Sequence, residues 1–119
     1  ELVTTFDVGD VRLAPPIEIT LYRVGQEALA NAVKHAAATR VELGLEVRPG
    51  YAALSVLDNG KGFDLKRSRG QGLGLPSMRE RVVALGGTLN IVTAPGTGTR
   101  VYAVVPLVPT PPAPGEHRP

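Results

Sequence analysis

The sequence predicts a single α+β domain, in which helices pack on one face of a mixed, largely antiparallel sheet to form a two-layer sandwich. Five strand patterns stand against two helical ones, and four of the strands pair across short turns. Strands that come as hairpins fit a doubly wound parallel sheet poorly. A chain of 119 residues is also long enough to bury a core without disulfide or metal cross-links.

The first half of the chain alternates between the two kinds of pattern. Leu2 to Val8 is a short strand candidate, and a loop then ends at Ala14-Pro15-Pro16. A helix from Ile17 to about Ala37 is indicated by an apolar stripe at helical spacing. The stripe consists of Ile17, Leu21, Val24 and Ala28. Arg40 to Val47 alternates apolar and polar residues, and the turn Arg48-Pro49-Gly50 predicts a hairpin with Tyr51 to Asp58.

The second half begins with a glycine-rich, charged loop from Gly60 to Gly72. A second helix follows, ended by Gly86-Gly87, and its apolar stripe is Leu75, Met78, Val82 and Leu85. Thr88–Thr93 and Thr99–Val105 then predict a last hairpin. Beyond Leu107 the chain has five prolines in twelve residues, so we expect an ordered domain over residues 1–107 and a disordered tail over 108–119.

Composition excludes several classes of function. The net charge of +2 is small for a nucleic-acid-binding surface, and five aromatic residues offer little for base stacking. Without cysteine the chain forms neither disulfides nor thiolate metal sites. No apolar run approaches the roughly 18 residues of a membrane span. Because the chain begins with Glu1 rather than Met, we expect it to be a segment of a longer protein.

A polar face on the first helix is the first candidate site. Glu27, Asn31 and Lys34 fall within an arc of about 60° on an α-helix, and His35 returns to the centre of the apolar stripe. A helix that packs with its first half and offers an acid, an amide and a base with its second half is typical of the wall of a cleft. Solvated charges at a fraying helix end would explain the same residues.

Asp58 ends a strand on the same parity as Ala52, Leu54 and Val56, so its carboxylate is predicted to point towards the helices. A carboxylate in that place needs a donor, and the exocyclic amine of a purine is one. The alternative is an ordinary Asx turn, because Asp-Asn-Gly is a common turn sequence.

Two glycine pairs flank the loop after Asp58. Gly60 and Gly62 remove side chains where a flat base could approach the backbone. Gly72 and Gly74 precede Pro76 at a predicted helix start, where free backbone N–H groups attract phosphate oxygens. The segment from Asp64 to Gln71 between them has the polar composition of a mobile lid. On the last strand, Thr99 shares the parity of Val101, so its hydroxyl is predicted to face inwards.

Taken together, these segments resemble the catalytic, ATP-binding domain of bacterial sensor histidine kinases, the Bergerat fold of the GHKL group that also holds DNA gyrase and MutL. The resemblance covers roughly residues 17 to 107. Pro76-Ser77-Met78-Arg79-Glu80-Arg81-Val82 and Leu85-Gly86-Gly87 are similar to the NarL/DesK branch. The motifs that carry it are Glu27-Ala28-Leu29-Ala30-Asn31-Ala32-Val33-Lys34-His35-Ala36, Asp58-Asn59-Gly60-Lys61-Gly62-Phe63, Gly72-Leu73-Gly74-Leu75 and Gly96-Thr97-Gly98-Thr99.

The resemblance implies a role for each of these positions. Asn31 would coordinate the Mg²⁺ that bridges the ATP phosphates, and Lys34 and His35 would lie near those phosphates. Asp58 would accept from the adenine amino group. Glu27 matches the acid that acts as a general base in some ATP-hydrolysing relatives. In this chain we expect it to act as a polarising residue. The remaining nucleotide contacts are expected at Gly60, Gly62, Gly72, Gly74, Leu75 and Thr99.

The implied function is transfer of the ATP γ-phosphate to a histidine on a separate helical dimerisation domain that this chain lacks. His35 lies in the nucleotide-binding helix and His117 in the tail, so we expect little kinase activity from the chain alone. The implied partners are that dimerisation domain and a response regulator of the NarL type, without nucleic acid or membrane contact. We expect a cytoplasmic location and a monomeric domain. Alternatives are an anti-sigma-factor-type serine kinase and a non-catalytic nucleotide-binding interaction module.

Overall fold

A computed structural model describes residues 1–9, 12–64 and 73–107 of the chain. Five strands and two helices appear in the predicted order, so the α+β prediction is confirmed. The elements are β1 (Leu2–Asp7), α1 (Pro15–Lys34), β2 (Val41–Arg48), β3 (Tyr51–Asp58), α2 (Leu75–Ala84), β4 (Thr88–Thr93) and β5 (Thr99–Pro106). The predicted tail over 108–119 and most of the predicted lid lie outside the described residues.

The strands form one sheet in the order β1-β2-β3-β5-β4. β1 pairs with β2 in parallel, and the other three pairings are antiparallel, as in the predicted mixed sheet. The register places Asp58 opposite Thr99, and Thr99 opposite Thr93. Three polar residues therefore lie side by side at one end of the sheet, on adjacent strands β3, β5 and β4.

The core lies between the two helices and one face of the sheet. α1 contributes Leu21, Val24 and Ala28, which are buried as the apolar stripe predicted. Met78 and Val82 of α2 are also fully enclosed. Because strand side chains alternate between faces, the same face of the sheet supplies Val56, Ala103 and Val105 to this core.

The end of α1 differs from the sequence prediction. The helix ends at Lys34 rather than near Ala37, and His35 is its exposed C-cap. Ala37 adopts a left-handed conformation with φ 51°, and the amide of Ala38 donates to the carbonyl oxygen of Ala32 at 3.0 Å. A residue in the left-handed conformation just after the last turn is a common way for an α-helix to end. The prediction that His35 occupies the centre of the apolar stripe is therefore wrong.

No helix in the described part of the chain is long and apolar enough to cross a bilayer.

Candidate functional site

Two members of the polar row formed by Asp58, Thr99 and Thr93 are buried, and Thr93 is half-buried. Asp58 is 8% exposed and Thr99 is 6% exposed. The carboxylate oxygen Oδ1 of Asp58 accepts from the amide of Gly60 at 2.8 Å. No donor among the described residues reaches Oδ2. Both predictions for Asp58 are thus realised at once, since one oxygen closes an Asx turn while the carboxylate as a whole lies inside the protein.

Asn31 faces this row from α1 and is 8% exposed. Its side-chain nitrogen Nδ2 donates to the carbonyl oxygen of Leu73 at 2.7 Å, which ties α1 to the segment before α2. The side-chain oxygen of Asn31 has no donor within the described ranges. A buried amide oxygen of this kind is available as a ligand for a hard cation such as Mg²⁺.

A small cavity separates Asn31 from the polar row. Its volume is about 10 Å³, which is room for about one water molecule, so a purine does not fit between these side chains as they stand. The structure brings together the predicted site residues Asn31, Asp58, Leu75 and Thr99 here. The complete lining is Ala28, Asn31, Ala36, Val56, Asp58, Phe63, Leu75, Thr99 and Val101.

A larger cavity, of about 550 Å³, lies elsewhere, beside the N-terminal half of α1. Phe6, Leu13, Tyr22 and Leu45 are among its mostly apolar lining residues. None of the predicted site residues lines it, so cavity size and the sequence prediction indicate different parts of this molecule.

The glycines after β3 are explained by packing within the chain. A Cβ on Gly60 would lie 2.6 Å from the carbonyl oxygen of Ala36, at the end of α1. Gly62 has φ 66°, and a Cβ there would collide with the carbonyl group of Ala94. A Cβ on Gly98 would likewise collide with the backbone carbonyl group of Asp58. These glycines let three chain segments meet behind Asp58, which is a different reason from the predicted approach of a base.

Gly74 and Glu27 meet at the start of α2. Gly74 is the N-cap of the helix, with φ 71°, and a Cβ on it would lie 2.6 Å from the Oε2 atom of Glu27. No side chain in the described part of the chain caps the helix, so its first backbone N–H groups could donate to an anion. Gly72 lies outside the described residues.

The two predicted basic groups are less enclosed. Lys34 is the last residue of α1 and His35 follows it, and both are exposed. They lie within a few residues of Asn31, at the end of α1 that borders the small cavity. Neither lines that cavity, so any contact they make with a ligand is made outside it.

Two residues of the site region were missed in the sequence. The side-chain oxygen of Asn59 accepts from the amides of Thr39 and Arg40, which fixes the end of β3 to the loop after α1. The hydroxyl of Thr93 lies 2.8 Å from that of Thr99, and it also accepts from the amide of Phe63. The pairing of the last hairpin, extended to its final residues, would have indicated Thr93.

The groups with shifted pKa values lie on the opposite, helix-free face of the sheet. A hydrogen bond from Arg48, together with its charge, lowers the pKa of Asp7. The same hydrogen bond raises the pKa of Arg48. A hydrogen bond to Glu46 raises the pKa of Tyr51. These groups form a surface network with Asp7 and Glu46 flanking Arg48, remote from the small cavity.

Residues 17–109 match the model of the histidine kinase-, DNA gyrase B- and HSP90-like ATPases. Among curated proteins, the chain is 42% identical over 104 residues to the signal transduction histidine-protein kinase/phosphatase DegS of Bacillus subtilis. It is 38% identical over 101 residues to the sensor protein VraS of Staphylococcus aureus. Each alignment covers 85% of this chain, but the aligned region spans only 27% of DegS and 29% of VraS.

Solved structures share the fold. The histidine kinase domain of the Erythrobacter litoralis EL346 blue-light activated histidine kinase superposes with a TM-score of 0.72 at 26% identity, over 89% of this chain and 55% of that one. The mycobacterial sensor histidine kinase MprB superposes with a TM-score of 0.64 at 29% identity, over 89% of this chain and 80% of that one. The two-layer arrangement of helices on a mixed sheet is therefore the fold of these kinase domains.

Proposed function

Because the chain belongs to the family of histidine kinase-, DNA gyrase B- and HSP90-like ATPases, we propose that ATP binds between α1 and the polar row formed by Asp58, Thr99 and Thr93. In this proposal the domain is the ATP-binding catalytic part of a two-component sensor histidine kinase. It presents the γ-phosphate to a histidine carried by a separate helical dimerisation domain. The name of the signal transduction histidine-protein kinase/phosphatase DegS supports this assignment, and VraS is named a sensor protein.

The buried Oδ2 atom of Asp58 carries the proposal. An ionised carboxylate only accepts hydrogen bonds, and burying one without a donor is costly. The exocyclic amine of adenine is a donor of the right kind, and Thr99 lies directly across the strand pair from Asp58. Since the cavity holds only about 10 Å³, adenine enters when Phe63 or Leu75 moves outwards. These two lining side chains are on neither the sheet nor α1.

The phosphates would lie towards the start of α2. The open backbone N–H groups there suit an anion, and Asn31 offers its free oxygen to Mg²⁺. Bound Mg²⁺ would offset negative charge on the phosphates during phosphoryl transfer. Lys34 and His35 would add positive or hydrogen-bonding groups outside the cavity. Glu27, which lies against Gly74, would act beside the phosphates as a polarising residue. Gly62 and Gly72 complete the proposed nucleotide contacts.

The reaction needs parts beyond this chain. We propose that the acceptor histidine belongs to the parent kinase's dimerisation domain and that the phosphate then passes to a response regulator of the NarL type. The isolated domain is then a cytoplasmic monomer that binds Mg-ATP and phosphorylates itself weakly. Rapid autophosphorylation of the purified chain would contradict the assignment of the acceptor histidine to a separate domain.

Asp58→Asn is the sharpest test of the adenine site. Asparagine keeps the oxygen that closes the turn with Gly60, so the fold is preserved, but the buried acceptor charge is lost. We expect calorimetric titration with a non-hydrolysable ATP analogue and Mg²⁺ to show affinity at least about tenfold weaker, or about 1.4 kcal/mol. Asp7→Asn, a carboxylate on the opposite face, is the matched control and should bind like the wild type. A wild-type chain that binds no adenine nucleotide at millimolar concentration would refute the proposal.

A further inference from the structure

The hydroxyl group of Thr93 makes three contacts. It accepts from the amide of Phe63 at 3.1 Å, lies 3.2 Å from the carbonyl oxygen of Gly98, and lies 2.8 Å from the hydroxyl of Thr99. A hydroxyl has one proton and two acceptor lone pairs. The amide can only donate and the carbonyl can only accept. All three contacts can therefore be hydrogen bonds at the same time in only one arrangement. In that arrangement Thr93 donates to Gly98 and Thr99 donates to Thr93.

This arrangement determines whether the hydroxyl of Thr99 acts as a donor or an acceptor towards the cavity. In this arrangement the only hydroxyl proton of Thr99 is used on Thr93, so Thr99 offers the cavity an acceptor and no donor. The neighbouring free oxygen of Asp58 is also an acceptor. The buried wall of the cavity thus presents two acceptors side by side. That pattern matches the donating amine of a 6-aminopurine and opposes the accepting oxygen of a 6-oxopurine.

We propose that Thr93, which does not line the small cavity, is a positioning residue that sets the choice between 6-amino and 6-oxo purine nucleotides by holding the proton of Thr99. The proposal rests on the proposed ATP site. It distinguishes Thr93 from a purely structural residue, because removal of its hydroxyl frees the Thr99 proton to donate into the cavity. A 6-oxopurine then gains a donor for its oxygen, whereas Thr99 keeps the lone pairs that accept from a 6-aminopurine, so the change favours the 6-oxopurine alone.

Thr93→Val tests this directly, because valine keeps the shape of threonine and removes the hydroxyl. ADP and IDP are titrated with Mg²⁺ into each variant, and the readout is the ratio of the two affinities. We expect the wild type to favour ADP and Thr93→Val to lower the ratio by about fivefold. Thr93→Ser keeps the hydroxyl and should keep the ratio. Thr88→Val, on the exposed opposite end of β4, is the matched control and should leave the ratio unchanged.

A second variant keeps the test decisive if Thr93→Val folds poorly. Thr99→Val should lower the ratio to a similar extent, and the double variant should lower it no further than either single change. Equal weakening of ADP and IDP by Thr93→Val would overturn the inference, since it would show a structural role alone. A wild-type chain that binds neither nucleotide would instead refute the ATP site and the inference with it.

Discussion

The side-chain nitrogen of Asn31 donates a 2.7 Å hydrogen bond to the backbone carbonyl of Leu73, 42 residues further along the chain. This bond joins α1 to Leu73, the residue just before Gly74, which is the N-cap of α2. Asn31 therefore has two separable functions, since its nitrogen holds the start of α2 while its oxygen remains available to a cation.

Two substitutions at Asn31 separate these functions. Asn31→Ala removes both groups, so we expect a loss of about 1–3 kcal/mol in the free energy of unfolding and loss of the Mg²⁺ dependence of ADP binding. Asn31→Asp loses the donor but keeps an oxygen, so it should lose stability and retain the Mg²⁺ dependence. Urea unfolding and titrations with and without Mg²⁺ measure the two effects. Asn90→Ala, at an exposed position of β4, is the control for a general effect of losing an amide side chain.

If Asn31→Ala retains the Mg²⁺ dependence, or if Asn31→Asp abolishes it, the assignment of the side-chain oxygen as a metal ligand is wrong.

Gly62 and Gly96 provide a matched pair for backbone effects. Both have positive φ, at 66° and 86°, but a Cβ on Gly62 would collide with the carbonyl of Ala94 while one on Gly96 meets nothing within 4 Å. Gly96→Ala should therefore cost only the left-handed strain, about 1 kcal/mol. Gly62→Ala should cost distinctly more and also weaken ADP binding, because the loop behind Asp58 must shift. Equal unfolding free energies for the two variants would contradict this packing explanation.

The positions of Asp58 and Thr99 could be predicted because strand periodicity and hairpin turns are local. Once the turn at Arg48-Pro49-Gly50 fixes the pairing of β2 with β3, the alternation of side chains decides which residues face the helices. Both residues are buried, as that pattern indicated. The same reasoning carried through the last hairpin would have reached Thr93, which pairs with Thr99.

The features that the sequence could not predict depend on contacts between distant parts of the chain. Nothing in the sequence near Asn31 indicates that its amide binds Leu73, and nothing near Gly62 indicates that Ala94 lies against it. The end of α1 was missed for a related reason. Periodicity alone continues the helix, whereas the structure ends it at Lys34 and Ala37 adopts a left-handed conformation. Binding roles for all the predicted site residues, Asn31, Asp58 and Thr99 included, remain predictions.

The ion pair of Asp7 with Arg48 predicts a pH-dependent contribution to stability. Its N···O distance is 2.7 Å, and the hydrogen bond lowers the pKa of Asp7 in the folded chain. A carboxyl whose pKa is lower when folded contributes stability above its unfolded pKa of about 4, and loses it as the pH falls through the folded pKa. Asp7→Asn should therefore be less stable than the wild type at about pH 7, and this difference should shrink below about pH 4.

Because the side chains are 63% and 39% exposed, solvent screens the pair, so the difference should be small and should decrease further in high salt. Urea unfolding at several pH values and two salt concentrations measures it. Glu80→Gln changes an exposed carboxylate on α2 for which the described residues provide no ion pair, so its effect should not follow this pH profile. A difference between Asp7→Asn and the wild type that stays constant from neutral to acid pH would show that the ion pair does not stabilise the sheet edge.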